Sequence, residues 1–389
     1  MISLSTDQTS AISKLLKWYK FDNKNKRFIT LGGYAGTGKT TLIAIFRKSL
    51  HKINPDLKVG FASYTGKAAR VLKSKLIEQK GISKKDTVST IHSMIYSPIV
   101  NNNKEIVGWQ RKGKIEAQLI IIDEGSMVDG EIWDHLLQYD VPIIAVGDHG
   151  QLPPIRGTFN LMKKPDIVLE HIHRQAAENQ IIGLSIQARE HGRVRQGNYS
   201  QFVRKYTPED SDFQLEMDEA LQNFTPSTLI LCGYNHTRKK LNNYIRTELG
   251  IETAEPTVGD RVICLRNNHQ KGISNGMLGI IIKIKRLDIH WYDAEIAMDD
   301  NKEKYQGLIS VKQFGSDTTL NFTNRRSKIM KGDLFDFGYA LTVHKAQGSQ
   351  AKKVILFEER FSKMDDTDWK RWLYTAITRA EEELLIFGS

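Results

Sequence analysis

Apolar positions along this chain follow two rhythms. Unbroken apolar runs at 27–31, 59–62, 119–123 and 141–147 alternate with stretches at 40–50, 66–77 and 130–138, where apolar residues return every three to four positions. The runs read as strands buried on both faces, the other stretches as amphipathic helices. Their alternation predicts a parallel α/β domain over residues 1–155. A small interruption falls at 94–116, where Asn101-Asn-Asn103 separates β-branched runs and reads as a hairpin turn. From Thr257 to about residue 330 the rhythm changes to short alternating strands, with turns at Ser274-Asn-Gly276 and Leu278-Gly279 and no long helical period. That segment predicts a small β-barrel set between α/β segments at 156–256 and 331–389.

Length and composition leave this outline intact and narrow the setting. At 389 residues, 40% hydrophobic and 26% charged, the chain can bury two to three cores. No apolar run approaches the ~20 residues needed to cross a bilayer. Met1-Ile-Ser-Leu-Ser-Thr-Asp-Gln8 lacks the basic and apolar regions of a signal peptide, so a cytoplasmic protein without a membrane partner is expected. Cys232 and Cys264 each lie in an apolar strand-like stretch and read as buried thiols rather than a disulfide, a metal pair or a nucleophile. The net charge of +11 changes the picture more. Basic residues cluster at Lys67/Arg70/Lys73/Lys75, Arg111/Lys112/Lys114, Arg238/Lys239/Lys240 and Arg325/Arg326/Lys328, among others. Such clusters predict a polyanionic partner, because Lys and Arg contacts to phosphate dominate nucleic-acid affinity. Charge does not separate DNA from RNA.

Candidate chemistry starts at Gly33-Tyr-Ala-Gly-Thr-Gly-Lys-Thr40, which fits the phosphate-cradling pattern G-x-x-x-x-G-K-[ST] between a predicted strand and a predicted helix. Glycines let backbone N–H groups face the phosphates, and the helix N-terminus adds partial positive charge. Gly36, Thr37, Gly38, Lys39, Thr40 and Thr41 are the expected nucleotide contacts, with Lys39 on the β/γ-phosphates and the Thr40 hydroxyl on Mg²⁺. Leu119-Ile-Ile-Ile-Asp-Glu124 ends a buried strand in two carboxylates. Ligands of open α/β sheets sit at carboxyl strand ends, so Asp123 is expected to hold Mg²⁺ with Thr40 and Glu124 to polarise the attacking water. Val141-Pro-Ile-Ile-Ala-Val-Gly-Asp-His-Gly-Gln-Leu-Pro-Pro154 reads as a strand followed by a turn that carries Gln151; its residues alone say no more.

These segments, taken in order, resemble the superfamily 1 helicases, specifically subfamily B enzymes of the RecD and Dda type. Leu4-Ser-Thr-Asp-Gln8 is similar to the family's adenine-reading segment, which makes Gln8 a nucleotide contact. Phe61-Ala-Ser-Tyr-Thr-Gly-Lys-Ala-Ala69 resembles motif Ia, Ser89-Thr-Ile-His-Ser93 motif Ib and Asp123-Glu-Gly-Ser-Met127 motif II. Gly147 to Pro154 resembles motif III, Thr342-Val-His-Lys-Ala-Gln-Gly-Ser349 motif V and Tyr374-Thr-Ala-Ile-Thr-Arg379 motif VI. Two positions depart from the pattern: Gly125 stands where Ala or Val is usual, and Gln350 where many relatives carry Glu near the ribose.

The resemblance implies an α/β fold of two RecA-like phosphate-loop domains, with a β-hairpin insertion in the first and an SH3-like β-barrel insertion in the second. It implies an ATP- and Mg²⁺-dependent DNA helicase that moves 5′→3′ on single strands. Gln151 would sense the γ-phosphate, while Arg174 and Arg379 of the second domain would complete the catalytic set with Lys39 and Glu124. Gly348 would contact the nucleotide. Thr65, Lys67, His92, Asn235, Thr342 and His344 match positions that line the strand, and 94–116 matches the pin that splits the duplex, with Ile99, Val100 and Trp109 as candidate base contacts. The expected partners are single-stranded DNA, forked or tailed duplexes, and single-strand-binding, replication or recombination proteins. Two alternatives stay open: an RNA helicase of the same superfamily, and a nucleic-acid-stimulated motor subunit that does not unwind alone. Neither His92 nor His344 has metal-site spacing, and His171-x-His173 lacks nearby Cys or Asp partners.

Overall fold

The computed structural model describes residues 4–100, 106–154, 159–172, 179–268, 271–273, 275–299, 304–317, 320 and 331–389. The chain divides into two compact units, Met1–Ser97 with Gln110–Gly183 and Pro98–Trp109 with Leu184–Ser389.

In chain order the first strands are β1 (Phe28–Gly33), β2 (Val59–Ser63), β3 (Thr87–Thr90), β4 (Tyr96–Val100), β5 (Ile106–Arg111), β6 (Leu119–Asp123), β7 (Ile143–Gly147) and β8 (Ile167–Leu169). β4 and β5 form a two-stranded sheet of their own. The other six form one sheet in the order β3-β2-β6-β7-β1-β8, with every neighbouring pair parallel. Helices α1 (Thr6–Lys17), α2 (Lys39–Ile53), α3 (Gly66–Glu78), α4 (Ile91–Ile95) and α5 (Gly130–Leu137) accompany these strands, and α6 (Gln180–His191) begins in the first unit and continues into the second from Leu184. The period-2 geometry of a strand explains why its apolar runs are unbroken. Leu119 and Ile121 enter one core with Leu42 and Phe46 of α2 and Leu72 of α3, whereas Ile120 and Ile122 enter a second core with Ile91 of α4 and Trp133 of α5. Helix starts follow side-chain caps: Ser5 for α1, Thr65 for α3, Thr90 for α4 and Asp129 for α5 each accept a backbone N–H of the first turn.

The second unit carries β9 (Gly197–Ser200), β10 (Val203–Tyr206), β11 (Thr228–Cys232), β12 (Arg261–Cys264), β13 (Leu278–Arg286), β14 (Trp291–Met298), β15 (Tyr305–Ser310), β16 (Phe335–Phe337), β17 (Ala340–Thr342), β18 (Ala351–Phe357) and β19 (Ala380–Phe387), with helices α7 (Phe213–Gln222), α8 (Asn235–Glu248) and α9 (Asp366–Ile377). One sheet runs β17-β11-β18-β19-β10-β9, parallel except for the β9–β10 pair. The other runs β15-β14-β13-β12-β16 and is antiparallel throughout.

Two expected boundaries move. The break expected at 155/156 cuts off β8, which pairs with β1 and buries Ile167 and Leu169; a three-residue strand is too short to show a rhythm in sequence. The β-rich segment expected to end at 330 takes its fifth strand from Phe335–Phe337, because β12 pairs with β16. The expected turn at Asn101–Asn103 lies outside the described residues. Cys232 and Cys264 are both buried free thiols, as expected, and burial pushes the Cys264 thiol up to about 12.

Candidate nucleotide-binding site

β1 ends at Gly33 and α2 begins at Lys39, so the five residues between them must reverse direction and open a helix. Gly36 and Gly38 do so with φ of 80° and 74°, where a side chain would be strained. A Cβ at Gly33 would come within 2.7 Å of Thr37 Oγ1. That hydroxyl donates to the Tyr34 carbonyl at 2.8 Å. Lys39 Nζ donates to the carbonyls of Gly33 (2.6 Å) and Tyr34 (2.9 Å), which leaves one of its three N–H bonds for a phosphate oxygen. Thr40 and Thr41 follow in the first turn of α2, where the Thr41 hydroxyl accepts from Gln79 Nε2. Gln8 is buried beside the loop: its Oε1 accepts from Ser5 N–H at 3.2 Å and its Nε2 donates to the Thr37 carbonyl at 3.0 Å. The residue expected to read adenine therefore also fixes α1 to the loop.

The neighbouring parallel strands bring the acids and the amide to the same sheet edge. Asp123 closes β6, and Glu124 turns the chain with φ 57° and ψ 40°, a left-handed conformation rare for a residue with a Cβ. The Glu124 N–H donates to Asp123 Oδ1 at 3.0 Å. Burial, then the charge of Glu124, raise the Asp123 pKa to about 6 against the opposing pull of that N–H, Lys39 and Lys75. The Asp123 carboxylate and the Thr40 hydroxyl are hard-oxygen donors of the kind that fits Mg²⁺, a cation that keeps few protein ligands, completes its shell with phosphate and water, and would favour the ionised form of Asp123. Among the described residues no cluster of three or more His, Cys, Asp or Glu competes for a cation.

After β7, Asp148 accepts from Gly150 N–H at 2.9 Å and from Gln151 Nε2 at 3.4 Å. Gln151 is buried and, among the described residues, its Oε1 has no hydrogen-bond donor. A buried acceptor without a donor costs about 1–3 kcal/mol, so this amide is available to a hydrogen-bond donor from outside the described residues. Ser63 Oγ and Ser126 Oγ are likewise buried without partners among the described residues; Ser63 pairs beside Asp123 in the sheet register. Nothing in the sequence pattern distinguished these two serines.

Thr65 caps α3 by accepting from Ala68 N–H at 3.2 Å, and Lys67 follows it on the helix. His92 lies on α4 between the rings of Tyr64 and Tyr96, with centroids at 6.4 and 5.4 Å. In the second unit, Thr342 closes β17 and Asn235 opens α8 after β11, both at carboxyl strand ends. Burial lowers the His344 pKa. Gly348 (φ 74°) and Arg379 instead stand just before the amino ends of β18 and β19. The Arg379 guanidinium is buried and donates to the Thr375 carbonyl, the Ser349 carbonyl and the Thr378 hydroxyl at 3.0–3.3 Å. Arg174 lies outside the described residues. Of the basic clusters, Arg238 does not face solvent: it is buried and paired with Asp336 at 2.9 Å. Ile99 and Trp109 are each 40% exposed.

A phosphate loop, an acid pair and a glutamine turn at adjoining ends of a parallel sheet define a phosphate-loop nucleotide-binding protein. The chain belongs to the AAA domain family, whose model matches residues 3–206. A model of the UvrD-like helicase C-terminal domain matches residues 337–387. The chain is 28% identical over 414 residues to the ATP-dependent RecD2 DNA helicase of Deinococcus radiodurans, covering 99% of this chain and 49% of that protein. It thus spans about half the length of that relative. A shorter stretch of 157 residues, 39% of this chain and 33% of the relative, is 31% identical to the ATP-dependent DNA helicase dda of Enterobacteria phage T4. Among solved structures, the Pif1 helicase from Bacteroides in complex with ADP-AlF3 and ssDNA matches with a TM-score of 0.54 at 19% identity, over 99% of this chain and 92% of that one; the two share a fold. The resemblance to helicases of the RecD and Dda type is met by these relatives.

Proposed function

We propose that this chain is an ATP- and Mg²⁺-dependent DNA helicase that translocates 5′→3′ on single strands. Glu124 carries the reading. It holds a left-handed backbone at the end of a buried strand, and strain of that kind concentrates at functional sites. Support comes from the relatives, which are DNA helicases by name, and from a Bacteroides Pif1 structure that holds ADP-AlF3 and ssDNA.

In the proposed reaction the loop N–H groups and the third N–H of Lys39 hold the phosphates, while Asp123 and Thr40 hold Mg²⁺, which supplies charge neutralisation on the phosphate oxygens when bound. Glu124 accepts hydrogen bonding from the attacking water, and Gln151 Oε1 accepts from the same water or its shell. Arg174 and Arg379 add positive charge in the transition state, a role worth ~10³–10⁵ in rate. Gln8 and Gly348 flank the nucleotide. Thr65, Lys67, His92, Asn235, Thr342 and His344 line the strand, the β4–β5 pair acts as the duplex-splitting pin, and the antiparallel sheet of the second unit is the SH3-like insertion of this design. The partners are single-stranded DNA and forked or tailed duplexes, and the setting is cytoplasmic; single-strand-binding or recombination proteins are the protein partners that suit such a motor.

The test is ATP turnover with and without single-stranded DNA or RNA, in the wild type and in Glu124→Gln. Turnover stimulated by DNA, retained strand binding by the variant and loss of at least about 100-fold in its turnover are expected. Near wild-type turnover in Glu124→Gln would overturn the assignment. Equal stimulation by RNA would replace the DNA substrate with a broader one.

A further inference from the structure

Tyr34 is the second residue of the phosphate loop and His149 is the second residue of the turn after β7, yet their rings touch. The centroids lie 4.1 Å apart at an interplanar angle of 45°. Both residues are half-buried, and each is bonded into the machinery on its own side. The Tyr34 carbonyl accepts from Lys39 Nζ at 2.9 Å, from Thr37 Oγ1 at 2.8 Å and from Thr37 N–H at 3.4 Å. His149 sits between Asp148 and Gly150, in the turn that Asp148 ties together and that ends at Gln151. The imidazole also rests on the backbone of β1: a Cβ at Gly32 would come 3.0 Å from His149 Nδ1. A displacement of the Gln151 turn therefore carries His149 with it, and His149 bears on the peptide that positions Lys39 and Thr37.

We propose that Tyr34 and His149 are positioning residues, an aromatic contact that sets the register between the phosphate loop and the glutamine turn in the reaction proposed above. The contact rests on that reading of the site. Its effect has a definite signature. Loop N–H groups and Lys39 still hold the phosphates when the ring contact is lost, so KM for ATP changes little. Gln151 then loses its registration against the γ-phosphate, and kcat falls. Ring-to-ring packing is the operative feature, so the phenol hydroxyl of Tyr34 is dispensable.

Steady-state ATP turnover would be measured for the wild type, Tyr34→Leu, His149→Leu, the double variant, Tyr34→Phe and Lys39→Ala, each with its thermal midpoint. Leucine fills much of the ring volume and guards against unfolding; a variant whose midpoint collapses is replaced by the methionine substitution. The proposal expects each leucine variant to lose about tenfold in kcat, since small misplacements of positioned groups cost this much or more, with KM within about threefold. The double variant should be no worse than the worse single one, the non-additivity of two residues acting as a unit. Tyr34→Phe should restore turnover. Multiplying losses in the double variant, unchanged kcat in the single variants, or an equal loss in Tyr34→Phe would overturn it. Lys39→Ala separates the two levels: if it abolishes turnover while the leucine variants behave as wild type, the aromatic contact alone falls, and if it leaves turnover intact, the nucleotide reading itself fails.

Discussion

Glu124 is held at φ 57°, in a region that costs a residue with a Cβ about 1–2 kcal/mol. Glycine has no such penalty there, although it gives up about 0.5–1 kcal/mol in chain entropy. Glu124→Gly should therefore be at least as stable as the wild type while losing turnover, which pairs a thermal melt with an ATPase assay. A drop in stability of more than about 1 kcal/mol would mean that the carboxylate holds the fold rather than serving the chemistry. Gln8 shows the opposite balance at the same scale. Its amide is bonded to Ser5 and Thr37, so part of its role is to brace the loop, a role invisible in a sequence motif because both partners are backbone groups. From its own neighbours in sequence Gln151 reads only as a turn residue, and its γ-phosphate role comes from the resemblance; that its buried Oε1 lacks a donor among the described residues is a property of the fold.

At the scale of elements, legibility followed period and range. β2 and β6 were readable because every residue of Val59–Ala62 and Leu119–Ile122 is buried, which leaves an unbroken apolar run. β8 was not, since Val168 is exposed between Ile167 and Leu169 and three residues cannot establish a rhythm. The polar face of α8 was hidden for another reason. Arg238, Asn242 and Arg246 recur every four residues and look like a solvated helix side, but all three are buried. Arg238 reaches Asp336, 98 residues away, and Arg246 forms a two-pronged pair with Asp260 at 2.8 and 3.0 Å. Asp260 also accepts from Tyr339 Oη and Thr257 N–H, so it joins the antiparallel sheet to α8 through four donors. Removing one partner of such a buried pair strands the other charge, at a cost of about 3–5 kcal/mol. Asp260→Ala should lower the denaturation midpoint of the chain accordingly, whereas a change below about 1 kcal/mol would show that the pair contributes no more than a surface one.

Across the whole molecule, burial does not erase the charge signal. The buried pairs Arg47–Asp86, Lys205–Glu358, Arg238–Asp336 and Arg246–Asp260 are each neutral, so these four take nothing from the formal net charge of +11. A strand held by a chain of this charge should bind less tightly as salt rises, because phosphate contacts release counterions. Charge gives attraction without direction, and the parallel sheets give a nucleotide site without a track; the central claim joins them into directed motion on DNA. Unwinding of duplexes that carry a single-stranded tail at either the 5′ or the 3′ end, with ATP and Mg²⁺ present, tests that claim most directly. Strand separation from the 5′-tailed duplex alone is the predicted result. Separation from the 3′-tailed duplex alone, or from neither despite DNA-stimulated ATP turnover, would contradict it.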